Sequence, residues 1–168
     1  MARVFLSLGS NLGDRLQYLE AALNQLEAVG GIRVVTRSRI YETEPWPEIR
    51  VGRDQWYLNC AVEIETNLPP RRLLRLTQGI EAQAGRVREP TADHYGPRTL
   101  DIDILLYEDQ VIADHVLQIP HPLLHERRFV LIPLADIAPQ FEHPTLYQSI
   151  ADLLETLADD RGLTPYGD

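Results

Sequence analysis

The chain has 168 residues, a net charge of −9 and a hydrophobic share of 44 %, ordinary globular values for a domain that buries roughly 70 % of its unfolded surface. All 16 basic residues are arginine, which excludes a P-loop lysine, and the acidic balance opposes general nucleic-acid binding, which needs a basic face. No apolar run is long enough for a bilayer, no signal-peptide pattern follows Met1, and the lone Cys60 makes neither an intramolecular disulfide nor a zinc site by itself. A cytoplasmic location is expected.

Arg3–Leu8 reads as a short strand ending at Gly9-Ser10-Asn11. Leu12, Leu16, Leu19, Leu23 and Leu26 then recur at helical steps, with Asn11 and Asp14 as a capping signal and Gly30-Gly31 as the stop. Residues 32–41 read as a second strand and Glu42–Asp54 as loop, in which Pro45 and Pro47 hold Glu44 and Trp46 extended. Tyr57–Glu65 is a third strand, with Cys60, Val62 and Ile64 on one face and Tyr57, Asn59 and Ala61 on the other. Pro69-Pro70 opens a second helix with an apolar stripe of Leu73, Leu76, Ile80 and Ala84, and Gly85 suits its C-terminal cap. A polar loop from Arg86 to Pro97 leads to a strand over Arg98–Tyr107.

This order is that of an α+β, ferredoxin-like βαββαβ core: an antiparallel sheet with helices mainly on one face, followed by a C-terminal extension. Beyond it, Val116–Ile119 reads as a further strand, His121–Arg128 as loop or short helix, Phe129–Ala138 as helix limited by Pro133, and Ile150–Leu157 as a closing helix. One domain is expected over 1–160, with 161–168 as a frayed tail.

The Arg98–Tyr107 strand carries the most chemistry. Alternation sends Asp101 and Asp103 to one face and Ile102 and Ile104 to the other, with the two aspartate Cα atoms about 6.5–7 Å apart. Such a pair holds two divalent cations, or one with substrate oxygens completing the shell; Mg²⁺ is the natural candidate because it favours one or two carboxylates plus phosphate oxygens. The plain alternative is two acids facing water on a half-exposed sheet. Against it, Arg86, Arg88 and Arg98 crowd the preceding loop, and arginine's planar fork suits phosphate oxygens. With Tyr57 and Asn59 on the same helix-free face, the set suggests a metal–polyphosphate site. There is no Ser/His/Asp nucleophile pattern, zinc-ligand set or Gly-x-Gly-x-x-Gly. Phosphoryl or pyrophosphoryl transfer fits, since it needs positioning and charge stabilisation rather than a covalent catalyst.

The run Gly85-Arg86-Val87-Arg88, followed by Tyr95-Gly96-Pro97-Arg98-Thr99-Leu100-Asp101-Ile102-Asp103-Ile104-Leu105, resembles the signature of 6-hydroxymethyl-7,8-dihydropterin pyrophosphokinases of folate biosynthesis. Leu8–Gly13, Tyr57–Asn59, Gln78–Glu81, Ile119–Pro122 and Arg127–Phe129 extend the resemblance over residues 4 to about 144. It implies transfer of the terminal pyrophosphate of ATP to the pterin's hydroxymethyl oxygen, leaving AMP. Asp101 and Asp103 would hold two Mg²⁺ ions, and Arg86 and Arg88 would belong to a loop that closes over the triphosphate. Leu74, Gln78, Glu81, Arg88, Arg98, Ile104, His121 and Arg127 would meet the nucleotide. The pterin would lie between Tyr57 and Phe129, with Asn59 pairing its lactam edge, the backbone at Thr43 adding hydrogen bonds, and Tyr95 and Trp46 as further contacts. Tyr95 replaces a tryptophan common in relatives, Glu44-Pro45-Trp46 replaces a commoner proline–leucine pattern, and no nucleotide contact is assigned to Gln118. The implied partners are the pterin and ATP, with no nucleic acid and no membrane; other folate-pathway enzymes are candidate protein partners. The competing class is a non-catalytic ferredoxin-like nucleotide- or RNA-binding module, which would present aromatics such as Tyr57 on an open sheet face.

Overall fold

Strand β1 (Ala2–Ser10) is buried without interruption from Val4 to Ser10, which requires cover on both faces rather than one. A computed structural model, which describes residues 1–46, 51–85 and 99–167, shows what supplies it. The fold is mixed α/β, built on an antiparallel sheet with four α-helices among the described residues. Its elements run β1, α1 (Arg15–Ala28), β2 (Ile32–Arg37), β3 (Tyr41–Thr43), β4 (Tyr57–Thr66), α2 (Pro70–Gln83), β5 (Asp101–Tyr107), β6 (Ile112–Ala113), β7 (Gln118–Ile119), α3 (Arg128–Ile137), α4 (Ile150–Glu155) and β8 (Leu163–Pro165). The main sheet is ordered β5-β1-β4-β3-β8, with β2 pairing the other end of the long β4. Strands β6 and β7 form a separate ribbon.

The pleat sorts the core into two layers. Val4, Leu6 and Leu8 of β1, Cys60, Val62 and Ile64 of β4, and Ile102 and Ile104 of β5 pack against Leu19, Leu23 and Leu26 of α1 and Leu73 and Ile80 of α2. On the opposite face Phe5, Ala61, Leu105 and Leu106 pack against Val130, Leu131 and Leu134 of α3 and Ile150 and Leu153 of α4. The expected helix-free face is therefore covered: among the described residues two helices lie on each side. Pro133 sits inside α3 on its buried side, and the sequence beyond β5 supplies the apolar residues of this second layer.

Other boundaries moved for local reasons. The expected 32–41 strand is split into β2 and β3, because Ser38 leaves the strand to exchange bonds with Ala61: its amide donates to the Ala61 carbonyl at 2.9 Å and its hydroxyl accepts from the Ala61 amide at 2.9 Å. Strand β3 then continues to Thr43, into the expected loop. Helix α1 is capped by Asp14, which accepts from the Gln17 amide at 3.1 Å, rather than by Asn11. Leu12 consequently precedes the helix and Leu16 lies in its first turn, both exposed. Strand β5 begins at Asp101; Arg98, its expected start, lies outside the described residues. Gly85 has φ +86° after α2, the left-handed cap expected of it. The tail expected to fray instead adds β8 to the edge of β3, with Tyr41, Glu42 and Thr43 opposite Pro165, Thr164 and Leu163.

One ion cluster ties this edge to α1. Glu42 on β3 accepts from Arg15 at 2.8 Å and from Arg53 at 2.9 Å, while Arg15 also donates to the Trp56 carbonyl at 2.8 Å. Burial pushes the Glu42 carboxyl upward, but the hydrogen bonds and charges of Arg53 and Arg15 outweigh it and hold the group below its usual 4.5. A carboxylate lowered in the folded state stabilises fully above its unfolded pKa and loses that contribution as pH falls through the folded value. Glu42→Gln is expected to cost about 1–2 kcal/mol at neutral pH. In denaturant unfolding, the gap between wild type and variant should narrow below about pH 4.5; a gap independent of pH would contradict the assignment.

Candidate active site

β1, β4 and β5 converge at one end of the sheet, and their register decides what meets there. Gly9 on β1 stands opposite Asn59 on β4 and Asp101 on β5, and Ser7 stands opposite Ala61 and Asp103. Asp101 and Asp103 share the α3 face, as their spacing requires. Gly9 lies between Asn59 and Asp101, and its missing side chain keeps the floor open. A Cβ there would lie 2.4 Å from Asn59 Oδ1 and 3.5 Å from Tyr57 Cδ1.

Two clefts adjoin at Asp103. The first, about 450 Å³ with its mouth included, is lined by Gly9, Thr43, Glu44, Pro45, Trp46, Tyr57, Asn59, Asp101, Asp103 and Phe129. It thus assembles five residues expected around a flat heterocycle, Thr43, Trp46, Tyr57, Asn59 and Phe129, directly beside both aspartates. Its polar wall is preset: Asn59, only 4 % exposed, donates from Nδ2 to the Thr43 hydroxyl at 2.6 Å. The second cleft, more open and about 790 Å³, is lined by Leu74, Gln78, Ile102, Asp103, Ile104, His121, Pro122 and Asp114–Gln118 from the β6–β7 ribbon. Leu74, Gln78, Ile104 and His121 meet there as expected, and Gln118, to which no contact was assigned, joins them.

Not every expected residue lines these two clefts. Glu81 is 1 % exposed and accepts from the Ile102 amide at 3.3 Å, so it braces β5 from beneath. The Arg127 guanidinium sits over the Trp46 ring at 4.7 Å and the Phe129 ring at 5.5 Å, where two aromatic faces hold a cation beside the first cleft. Arg86, Arg88, Tyr95 and Arg98 lie outside the described residues. Glu44, like Trp46 a substrate contact left open by the sequence, lines the first cleft; sequence reasoning missed Gly9, Pro45 and the ribbon. Only Gly9 left a signal, as a glycine at the end of a strand, where close approach of another group is the usual reason.

His121 lines the second cleft beside Asp103. Burial, reinforced by the charge of Arg127 and opposed by Asp101, lowers its pKa to about 4. Its Nδ1 accepts from the Leu123 amide at 3.2 Å, so the neutral ring carries its proton on Nε2, which lies 4.0 Å from Asp103 Oδ2. The carboxylates fit a hard divalent cation. They share one face and open into one cleft, and the described residues contain no group of three or more His, Cys, Asp or Glu that would form an all-protein cage. Two carboxylates completed by water and phosphate oxygens are the Mg²⁺ pattern.

A family model described as 7,8-dihydro-6-hydroxymethylpterin-pyrophosphokinase (HPPK) matches residues 5–139. The chain belongs to this family. It is 49 % identical over 140 residues to the 2-amino-4-hydroxy-6-hydroxymethyldihydropteridine pyrophosphokinase of Methylorubrum extorquens, covering 83 % of this chain and 84 % of the relative. The Bacillus subtilis protein of the same name is 46 % identical over 140 residues, 82 % of this chain and 79 % of its own. The folic acid synthesis protein fol1 of Schizosaccharomyces pombe is 43 % identical over 154 residues, 91 % of this chain but 20 % of the longer relative. Among solved structures, wild-type Plasmodium falciparum HPPK-DHPS superposes with a TM-score of 0.70 at 18 % identity, and an HPPK-DHPS in complex with substrates with 0.71 at 18 %. The chain is covered to 92 % in both but spans 44 % of theirs; at that identity they speak to the fold alone. No helix among the described residues is long and apolar enough to cross a membrane.

Gly9→Ala is expected to drive the Asn59 amide off the floor of the first cleft, at about 1–3 kcal/mol of stability for a methyl forced against packed atoms. Chemical denaturation measures this; an unchanged midpoint would show that the floor yields freely.

Proposed function

We propose that the two clefts hold the two substrates of a single transfer, with Asp103 at their junction. The reaction is that of the family: pyrophosphoryl transfer to 6-hydroxymethyl-7,8-dihydropterin in folate biosynthesis. In this reading the pterin enters the first cleft and ATP the second, and AMP leaves. The observation that carries it is the shared wall: Asp103 lines both clefts, so a hydroxymethyl group in one and a triphosphate in the other meet at the carboxylates.

The chain's own groups divide the work. Tyr57 and Phe129 offer flat apolar walls, and Asn59, its amide oriented by Thr43, presents hydrogen-bonding groups to a lactam edge. Leu74 and Ile104 make the apolar side of the nucleotide cleft and Gln78 its polar side. Neutral His121 offers an N–H beside Asp103 without adding positive charge. Arg86, Arg88 and Arg98 are proposed to clamp phosphate oxygens with bidentate forks, Arg127 to add a further phosphate contact, and Tyr95 and Trp46 to border the pterin. Asp101 and Asp103 would hold two Mg²⁺ ions, which when bound neutralise phosphate charge and acidify the attacking hydroxyl. Holding both substrates in line supplies the remainder, since positioning and charge stabilisation dominate transfers of this class.

The strand order β5-β1-β4-β2 around two α-helices supports placing the βαββαβ core in the ferredoxin-like group. We propose that residues 1–160, with β8 docked on them, act as one pyrophosphokinase unit in the cytoplasm. Its partners are then the pterin and ATP, with neither nucleic acid nor membrane. Other folate-pathway enzymes are candidate neighbours, because fol1 carries the matching region within a much longer chain.

Incubation with ATP, Mg²⁺ and the hydroxymethyl-dihydropterin should release AMP; ADP in its place, or no nucleotide product, would overturn the reading. Asp101→Asn and Asp103→Asn should each lower turnover by about 10²–10³-fold, the scale of losing one charge-stabilising group, while thermal melts stay close to wild type. Full turnover in both variants would remove the carboxylates from the mechanism.

A further inference from the structure

The family match ends at residue 139, yet the residues standing behind the first cleft come from well past that point. Asp159–Leu163 runs directly behind Thr43, Glu44 and Phe129, the three enclosing a gap of only about 160 Å³ with it. Helix α3, whose second residue is Phe129, has no side-chain cap of its own and no acidic residue in its first turn. The missing acceptor arrives from 31 residues away: Asp159 Oδ2 accepts from the Arg128 amide at 3.0 Å, supplying both an orphan N–H partner and a negative charge at the helix N-terminus. Asp159 is itself only 5 % exposed in its side chain and is held by the Arg161 amide at 3.1 Å. Arg128 Nη1 donates in turn to the Arg161 carbonyl at 2.7 Å.

The same segment grips the opposite wall. The Glu44 amide donates to the Gly162 carbonyl at 2.9 Å, and the Gly162 amide donates to Glu44 Oε2 at 3.0 Å. Gly162 lies flat on Trp56, the residue before Tyr57; a Cβ there would fall 2.4 Å from Trp56 Cη2. Three parts of the first cleft, around Glu44, Tyr57 and Phe129, are thus fastened to one short piece of chain.

We infer that Asp159–Leu163 is a positioning strap that preorganises the pterin-facing walls. Loosening it leaves the carboxylates and the nucleotide cleft in place but raises the ordering cost of binding in the first cleft, so affinity there falls selectively. The inference rests on the proposed assignment of that cleft to the pterin, and the tests separate the two.

In the full-length protein, Asp159→Ala and Gly162→Ala should each raise KM for the hydroxymethyl-dihydropterin about tenfold, with kcat and KM for ATP within about twofold of wild type. Asp159→Asn, which still offers an acceptor, should recover most of the loss, and it carries the test with Asp159→Ala if Gly162→Ala fails to fold. Hydrogen exchange on the ligand-free protein reads the strap without any substrate: the Arg128 amide should exchange at least tenfold faster in Asp159→Ala, while the α1 amides keep their rates. An unchanged pterin KM alongside faster Arg128 exchange would overturn the strap's role in binding while leaving the cleft assignment standing; an unchanged pterin KM in Asn59→Ala would overturn the cleft assignment instead. Unchanged Arg128 exchange, or a uniform fall in kcat and both affinities, would overturn the strap itself.

Discussion

Everything at this site depends on the two-residue period of β5. Asp101 and Asp103 leave the strand on the same side because the pleat allows nothing else, and pairing with Gly9 and Ser7 of β1 sets where that side lies. A one-residue slip would send both carboxylates into the layer packed by α1 and α2 and turn Ile102 and Ile104 toward the first cleft. That slip is prevented by the core itself, since Ile102 and Ile104 are buried with Leu6 and Leu8. The hydrophobic layer on one face therefore enforces the position of the charges on the other.

The two faces of the sheet consequently have different tasks. One is a continuous apolar layer under α1 and α2. The other is apolar only at its lower end, where α3 and α4 cover Phe5, Ala61 and Leu105, and polar at its upper end, where β1 contributes a glycine in place of a side chain. Covering the lower end does more than stabilise: it carries Phe129, on the first turn of α3, to the rim of the cleft. In a chain of net charge −9, the paired acids are proposed to receive a polyphosphate through the cations they recruit.

Much of this was legible in the residues. The alternation of β4 and β5, the stripes of α1 and α2, and the grouping of Asp101 and Asp103 with Tyr57 and Asn59 follow from period and composition alone. What was hidden depends on partners distant in sequence. Ser38 breaks the second strand only because Ala61 lies beside it, and the tail orders because β3 offers an unpaired edge. Glu81 has the spacing of a cleft residue, yet the approach of β5 makes it an acceptor for the Ile102 amide instead. The cover provided by α3 and α4 was concealed by Pro133, which argues for a short helix without saying which face it will bury.

Strand β5 is proposed to gather cations where a triphosphate meets a hydroxyl. The most direct test counts them: Mn²⁺ bound in the presence of a non-hydrolysable ATP analogue, followed by electron paramagnetic resonance. The account predicts two ions on the wild type and a reduced count on Asp101→Asn and on Asp103→Asn. Undiminished binding in both variants would contradict it.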